Sequence, residues 1–398
     1  MQITGLMWIN RNQQKHIIDL IAFYPAIALI GSRQVGKTSL VKQLQNYLPK
    51  PSLYLDIERA ADRRKLSDPD LFLSAYENQT VILDEVQLIP DIFPEMRSLI
   101  DRHREPGRFI LLGSASPKLL TRSGESLAGR IAYIELEPIH VREATEVPFE
   151  QHWLRGGYPE SLLAPTDALS FSWRDNFLKN IAFRDLPALG LTQSPVNIQR
   201  FMIMLAGLQG GLVNISQLAN SLAVTRTTLI DFVDFLEHSF LCRRLPPYYT
   251  NIGKRLTKIA KFYFRDSGLV HQLLNIENRN QLFGHPLAGE LWEGYVIQQI
   301  VTRLSTGTQA YFYRTHDGSE LDLVLVQGNR PVVTIEIKLS NAPTLSRGNT
   351  IAMQDLKTEH NFIITPSAGD YPLRPNVQVT DIQTIWAHLI EIGVVVNV

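Results

Sequence analysis

The chain has 398 residues, 44% of them hydrophobic and 20% charged, with 24 Gly and 22 Pro; this predicts two to three domains and excludes a disordered, collagen-like or fibrous chain. With 39 Lys plus Arg against 39 Asp plus Glu, the formal charge is zero, which excludes a uniformly basic nucleic-acid coat but not a local basic patch. The single cysteine, Cys242, permits no intrachain disulfide or Cys-rich zinc site and reads as a small core residue in a reducing compartment. The first residues, MQITGLMWINRNQQKH, lack the basic start and apolar run of a signal peptide. The apolar stretch LIAFYPAIALIG is broken by Pro25 and is shorter than the roughly 20 residues that span a bilayer. A soluble, cytoplasmic chain with no membrane partner is therefore expected.

Four short apolar runs come next: AIALIG (26–31), SLYLDI (52–57), TVILDEV (80–86) and RFILLGS (108–114), separated by helical patterns such as TSLVKQLQNYL (38–48). Strand–helix alternation of this kind predicts an α/β fold, a parallel sheet with helices on both faces. The first strand runs into GSRQVGKTS, the pattern Gly-x-x-x-x-Gly-Lys-Thr, so that Gly31, Ser32, Arg33, Gln34, Val35, Gly36, Lys37, Thr38 and Ser39 form a candidate nucleotide-binding loop. Glycines let backbone amides turn inward around a polyphosphate, and a helix starting near Lys37 points its positive end at that charge. Lys37 would reach the terminal phosphates and the Thr38 hydroxyl would ligate Mg²⁺.

TVILDEVQLIP ends a buried strand in Asp84-Glu85. Asp84 would hold Mg²⁺ through water and Glu85 would orient the attacking water; two acids capping the next helix is the plainer alternative. After the next strand, Ser114 is placed to touch the γ-phosphate or the water, or else forms an ordinary Ser/Gly turn. Arg130, in LAGRIAYIEL, is either a γ-phosphate sensor, acting in cis or from a neighbouring subunit, or a surface salt bridge. Arg11 and Gln34 are further candidates.

The runs GSRQVGKTSL, VILDEVQ, LLGSASPKLL and LAGR resemble the N-terminal domain of prokaryotic AAA-type P-loop ATPases that carry a C-terminal domain of unknown function, along essentially the whole chain. The resemblance implies ATP and Mg²⁺ as cofactors, with Lys37, Thr38, Asp84 and Glu85 in the roles given above. The absence of an Asn-Lys-x-Asp guanine-reading motif separately favours ATP.

Residues 198–245 read as helical, with Asn214 or Ser216 capping one helix and Thr225 the next. Two short helices, a longer one and a turn resemble a winged helix-turn-helix with Arg226, Thr227 and Thr228 at the exposed start of the recognition helix; a lid or dimerisation bundle is the alternative. From Arg243 to Arg265 there are seven basic residues, among them Arg244, Lys254, Arg255, Lys258 and Lys261, no acid, and interleaved Tyr248, Tyr249, Phe262, Tyr263 and Phe264. Phosphate neutralisation with stacking platforms has this form and points to DNA or RNA; a basic surface docking on the acidic C-terminal region has it too.

The last region begins with HPLAGELWEGYVIQQIVTRL (285–304), read as an amphipathic helix bearing Glu290 and Glu293. A strand, a turn at Asp317-Gly318, a strand with Asp322, and a strand with Glu336 and Lys338 follow. In Glu-Ile-Lys, alternation places both charges on one face. Acids meeting across adjacent strands beside a lysine can bind Mg²⁺ at a phosphate undergoing hydrolysis. This resembles the restriction-endonuclease-like PD-(D/E)XK fold, with Glu293 (Glu290 the alternative), Asp322, Glu336 and Lys338 as the candidate nuclease site.

The expected organisation is an ATPase domain (1–140), a helical connector (141–197), a winged-helix-like module (198–260) and a nuclease-like α/β domain (261–398). The expected function is ATP hydrolysis coupled to a nucleic-acid-binding, nuclease-like half. The alternative is an ATP-driven switch that binds a protein partner through an inactive nuclease scaffold. A homo-oligomer fits either reading.

Overall fold

The computed structural model describes residues 8–114, 127–249, 258–367 and 369–397. The chain divides into two interleaved compact units. One contains residues 1–146, 157–163 and 234–241, the other 147–156, 164–233 and 242–398.

In the first unit, five strands form one sheet: β1 (Ala26–Ile30), β2 (Ser52–Asp56), β3 (Thr80–Asp84), β4 (Phe109–Gly113) and β5 (Ile131–Glu135). The spatial order is β2-β3-β4-β1-β5 and every pairing is parallel. β1, β3 and β4 are buried at every residue, which is why they read as unbroken apolar runs rather than alternating ones. The helix Ile92–Arg102 turns Ile92, Phe93, Met96, Leu99 and Ile100 inward, and these pack with Leu83, Leu111 and Phe240 in the core. Parallel strands place all their carboxyl ends on one edge, where open α/β sheets bind ligands. The insertion of β4 between β1 and β3 brings the loop after β1, the acids ending β3 and Ser114 after β4 to that edge.

The second unit begins with helices whose starts follow cap chemistry. Thr166, Ser194 and Asn214 each accept a first-turn amide with the side chain, and Thr225 accepts the amide of Thr228 at 3.1 Å. An antiparallel ribbon, β6 (Cys242–Leu245) with β7 (Lys261–Phe264), follows. A six-stranded sheet then forms from β8 (Thr308–Arg314), β9 (Glu320–Gln327), β10 (Arg330–Ile337), β11 (His360–Thr365), β12 (Tyr371–Arg374) and β13 (Val377–Asp381), in the order β12-β13-β11-β10-β9-β8. β8, β9 and β10 are an antiparallel meander. The helix Arg347–Leu356 then carries the chain over to β11, parallel to β10. The expected amphipathic helix is Ala288–Val301, but it is buried round its circumference, with Gly294 through Ile300 all inside. Gln298 and Gln299 are therefore inside, while Glu290 and Glu293 are half-buried.

No helix among the described residues is long and apolar enough to cross a membrane.

Candidate functional site

The loop after β1 is shaped by backbone freedom. Gly31 has φ +149°, and a Cβ there would lie 2.3 Å from the Leu136 carbonyl oxygen; Gly36 has φ +96° and precedes the helix Lys37–Leu44, whose start carries no side-chain cap. Uncapped first-turn amides and the helix dipole make this loop an anion cradle. The Lys37 ammonium is buried and donates to the Gly31 and Ser32 carbonyls at 2.9 and 2.8 Å. Burial pulls its pKa down to about 8, opposed by the negative charges of Glu85 and Asp84. From below, the Arg11 guanidinium donates to the Val35 carbonyl (3.1 Å) and the Glu137 carbonyl (2.6 Å) and pairs with Glu143 (3.2 Å). Arg11 thus braces the loop backbone. The Tyr158 hydroxyl donates to Ser32 Oγ at 2.8 Å. Gln34 (φ +61°) and Ser39 are exposed, and Arg33 pairs with Glu58 at 2.5 Å.

Asp84 lies opposite Thr38. Its Oδ2 accepts the Thr38 hydroxyl at 2.7 Å and the Tyr54 hydroxyl at 2.5 Å, and its Oδ1 accepts the Glu85 amide at 3.0 Å. Burial first, and the Asp84 hydrogen bond second, push the Tyr54 phenol well above its usual range, so it stays a donor. Thr38 and Asp84 are neighbouring oxygen donors that could hold magnesium, Thr38 directly and Asp84 through water. The residues fit the metal that a nucleotide brings.

Glu85 takes up φ +58°, a left-handed conformation that costs a non-glycine residue roughly 1–2 kcal/mol. Its Oε2 accepts Gln87 Nε2 and the Ser114 hydroxyl, the latter at 3.3 Å, and Gln87 Nε2 also reaches Ser114 Oγ at 3.0 Å. Tyr54 and Gln87 were not singled out from sequence. Tyr54 sits on the strand beside β3, and Gln87 follows Glu85 by two residues.

Arg130 lies elsewhere. It precedes β5, whose first residue pairs with Ala26, the first residue of β1, so it stands at the amino edge of the sheet. The phosphate loop is at the other edge, a strand of about 16 Å away. Its guanidinium grips both Asp101 oxygens at 2.7 and 2.9 Å. The expected cis sensor is instead a surface salt bridge.

In the second unit, Glu290, Glu293, Asp322, Glu336 and Lys338 line one cleft of about 660 Å³, together with Lys261 and Glu320. Asp322 Oδ2 accepts the Ile337 amide at 2.9 Å, and Lys338 Nζ donates to Glu336 Oε1 at 2.5 Å. Glu336 Oε2 is buried with no hydrogen-bond partner among the described residues. Burial, then the Asp322 charge, raise the carboxyls of both Glu293 and Glu336 above the ordinary range. Glu293 Oε1 accepts Lys261 Nζ at 3.0 Å and the Tyr263 hydroxyl at 2.5 Å. Among the described residues no group of three or more His, Cys, Asp or Glu is placed to hold a metal ion.

The basic stretch behaves differently from expectation. Lys261 is buried among carboxylates, and Phe262, Tyr263 and Phe264 are buried too, because β7 is inside at all four positions. These aromatics are core and not stacking platforms. Arg226, Arg244 and Lys258 are exposed and Arg243 is half-buried; Lys254 and Arg255 lie outside the described residues.

A parallel sheet in this strand order, with a phosphate loop and an acidic pair on one edge, has the form of a P-loop nucleotide-binding domain, and residues 24–145 match the family described as AAA domain. Residues 147–280 and 288–385 match two further families, each described as a domain of unknown function (DUF8612 and DUF4143). The chain is 38% identical over 353 residues to Uncharacterized protein Rv2008c of Mycobacterium tuberculosis and, equally, to Uncharacterized protein Mb2031c of Mycobacterium bovis, covering 89% of this chain and 79% of each relative. It belongs to the family of these mycobacterial proteins. A solved structure, the Walker-type ATPase PABY2304 of Pyrococcus abyssi, is similar at 15% identity over 67% of this chain and 96% of that one, with a TM-score of 0.46.

Proposed function

We propose that the first unit hydrolyses ATP and that the second acts on nucleic-acid phosphodiesters. The observation that carries the first reading is the convergence of Lys37, the Thr38–Asp84 pair and the Glu85–Ser114 pair on one sheet edge. Bound magnesium would neutralise the β- and γ-phosphate oxygens. The loop amides and Lys37 hold the triphosphate. Asp84, oriented by Tyr54 and the Glu85 amide, and the Thr38 hydroxyl would hold the metal. Glu85 takes the proton of the attacking water, while Ser114 and Gln87 fix its carboxylate. Lys37→Ala is expected to abolish ATP binding. Glu85→Gln should bind ATP normally and lose turnover by about 10²–10⁴-fold in a phosphate-release assay; normal turnover in Glu85→Gln would refute the assignment.

Phosphodiester cleavage in the second unit is supported by Glu336 Oε2, a buried acceptor without a partner beside Asp322. Two carboxylates completed by water and phosphate are a set that magnesium accepts. Lys338 is placed to stabilise charge on the phosphate, and the exposed Arg226, Arg244 and Lys258 would supply backbone contacts. Magnesium-dependent cutting of DNA or RNA that disappears in Asp322→Asn is expected. No cutting by the unaltered chain would favour the protein-partner switch.

A further inference from the structure

The cleft of the second unit holds a cation of its own. Lys261 Nζ lies 3.0 Å from Glu293 Oε1, 2.8 Å from Glu320 Oε1 and 3.5 Å from Asp322 Oδ1. Its side chain is 4% exposed, and the ring of Phe312 lies 5.5 Å from the ammonium. Three carboxylates surround this one cation, and the Tyr263 hydroxyl shares the same Glu293 oxygen.

The other side of the cleft differs. Lys338 engages only one oxygen of Glu336, and the second, Oε2, is buried and unpartnered. Lys261 therefore occupies the Glu293–Glu320 side, while a buried open acceptor remains on the Glu336 side. We propose that Lys261 occupies the place where a second divalent cation would otherwise sit, making the cleft a one-metal site with a built-in counter-ion. The proposal rests on the reading that Asp322 and Glu336 take a divalent cation. A divalent ion binding next to Lys261 would have to displace it or endure its repulsion. Glu293, which the sequence suggested as part of the metal shell, is on this view the anchor of the lysine.

The test is a Mn²⁺ titration of the full chain, nucleotide-free, followed by the electron paramagnetic resonance signal of free Mn²⁺. Asp84→Asn is present throughout to silence the first unit. The parent is expected to bind one Mn²⁺ and Lys261→Met to bind two, the gained ion being lost again when Glu293→Gln is added. Two ions in the parent, or an unchanged count in Lys261→Met, overturns the proposal. If Lys261→Met does not fold, Glu293→Gln alone decides: the count should stay at one, and a fall would make Glu293 a metal ligand and overturn it. A parent that binds none while Lys261→Met binds one would refute metal binding on Asp322 and Glu336 and still uphold the role of Lys261.

Discussion

The buried state of Lys37 makes ATP binding sensitive to pH in a direction that can be worked out. Without nucleotide, its pKa is drawn down to about 8 by burial. A bound triphosphate, with its negative charge against the ammonium, restores the proton. At about pH 7 the free lysine is mostly charged and binding takes up less than about a tenth of a proton. At about pH 9 only about a tenth of the free protein carries the charge, so binding must take up close to one proton and affinity falls by about tenfold, or ~1.4 kcal/mol. Calorimetric ATP titrations at several pH values, in buffers of different ionisation enthalpy, measure both quantities. An affinity flat from pH 7 to 9 with no proton uptake would refute the argument. The stability of the nucleotide-free fold follows with its own sign. Because the folded pKa lies below the unfolded value of 10.5, the unfolded chain holds more protons between the two, so this group's contribution to stability rises as pH climbs through that window.

Gly31→Ala should destabilise the first unit by about 2 kcal/mol or more in chemical denaturation, since its methyl group would strike the Leu136 carbonyl oxygen at 2.3 Å from a backbone conformation unsuited to alanine. Arg130→Ala should leave the ATP turnover of the monomer within about twofold in a phosphate-release assay, because an exposed Asp101 pair is worth at most about 1 kcal/mol and the residue stands at the far edge of the sheet.

The elements that local chemistry encodes were legible. β1 to β4 match the apolar runs within two residues, and the caps at Asn214 and Thr225 were readable because a side-chain oxygen can satisfy a free amide in one turn of chain. Ser114 and Arg130 both flank strands, yet only Ser114 follows one. In a parallel sheet that difference alone decides which edge a residue occupies. The pairing of Lys261 with Glu293 and Asp322, 32 and 61 positions further along, depends on the ribbon and the meander meeting. No local pattern reports it, so a run without acids read as a nucleic-acid-binding surface when part of it is buried. Tyr54 was hidden in the same way, since its partner Asp84 comes from the neighbouring strand.

The interleaving of the two units bears on how the protein can be taken apart. A fragment ending at residue 146 would keep the whole five-stranded sheet but forfeit Tyr158, which holds Ser32 of the phosphate loop, and Phe240, which fills part of the core. Such a piece would have a hole under its sheet and a loosened cradle. Weak nucleotide binding by it would report the cut and not the enzyme.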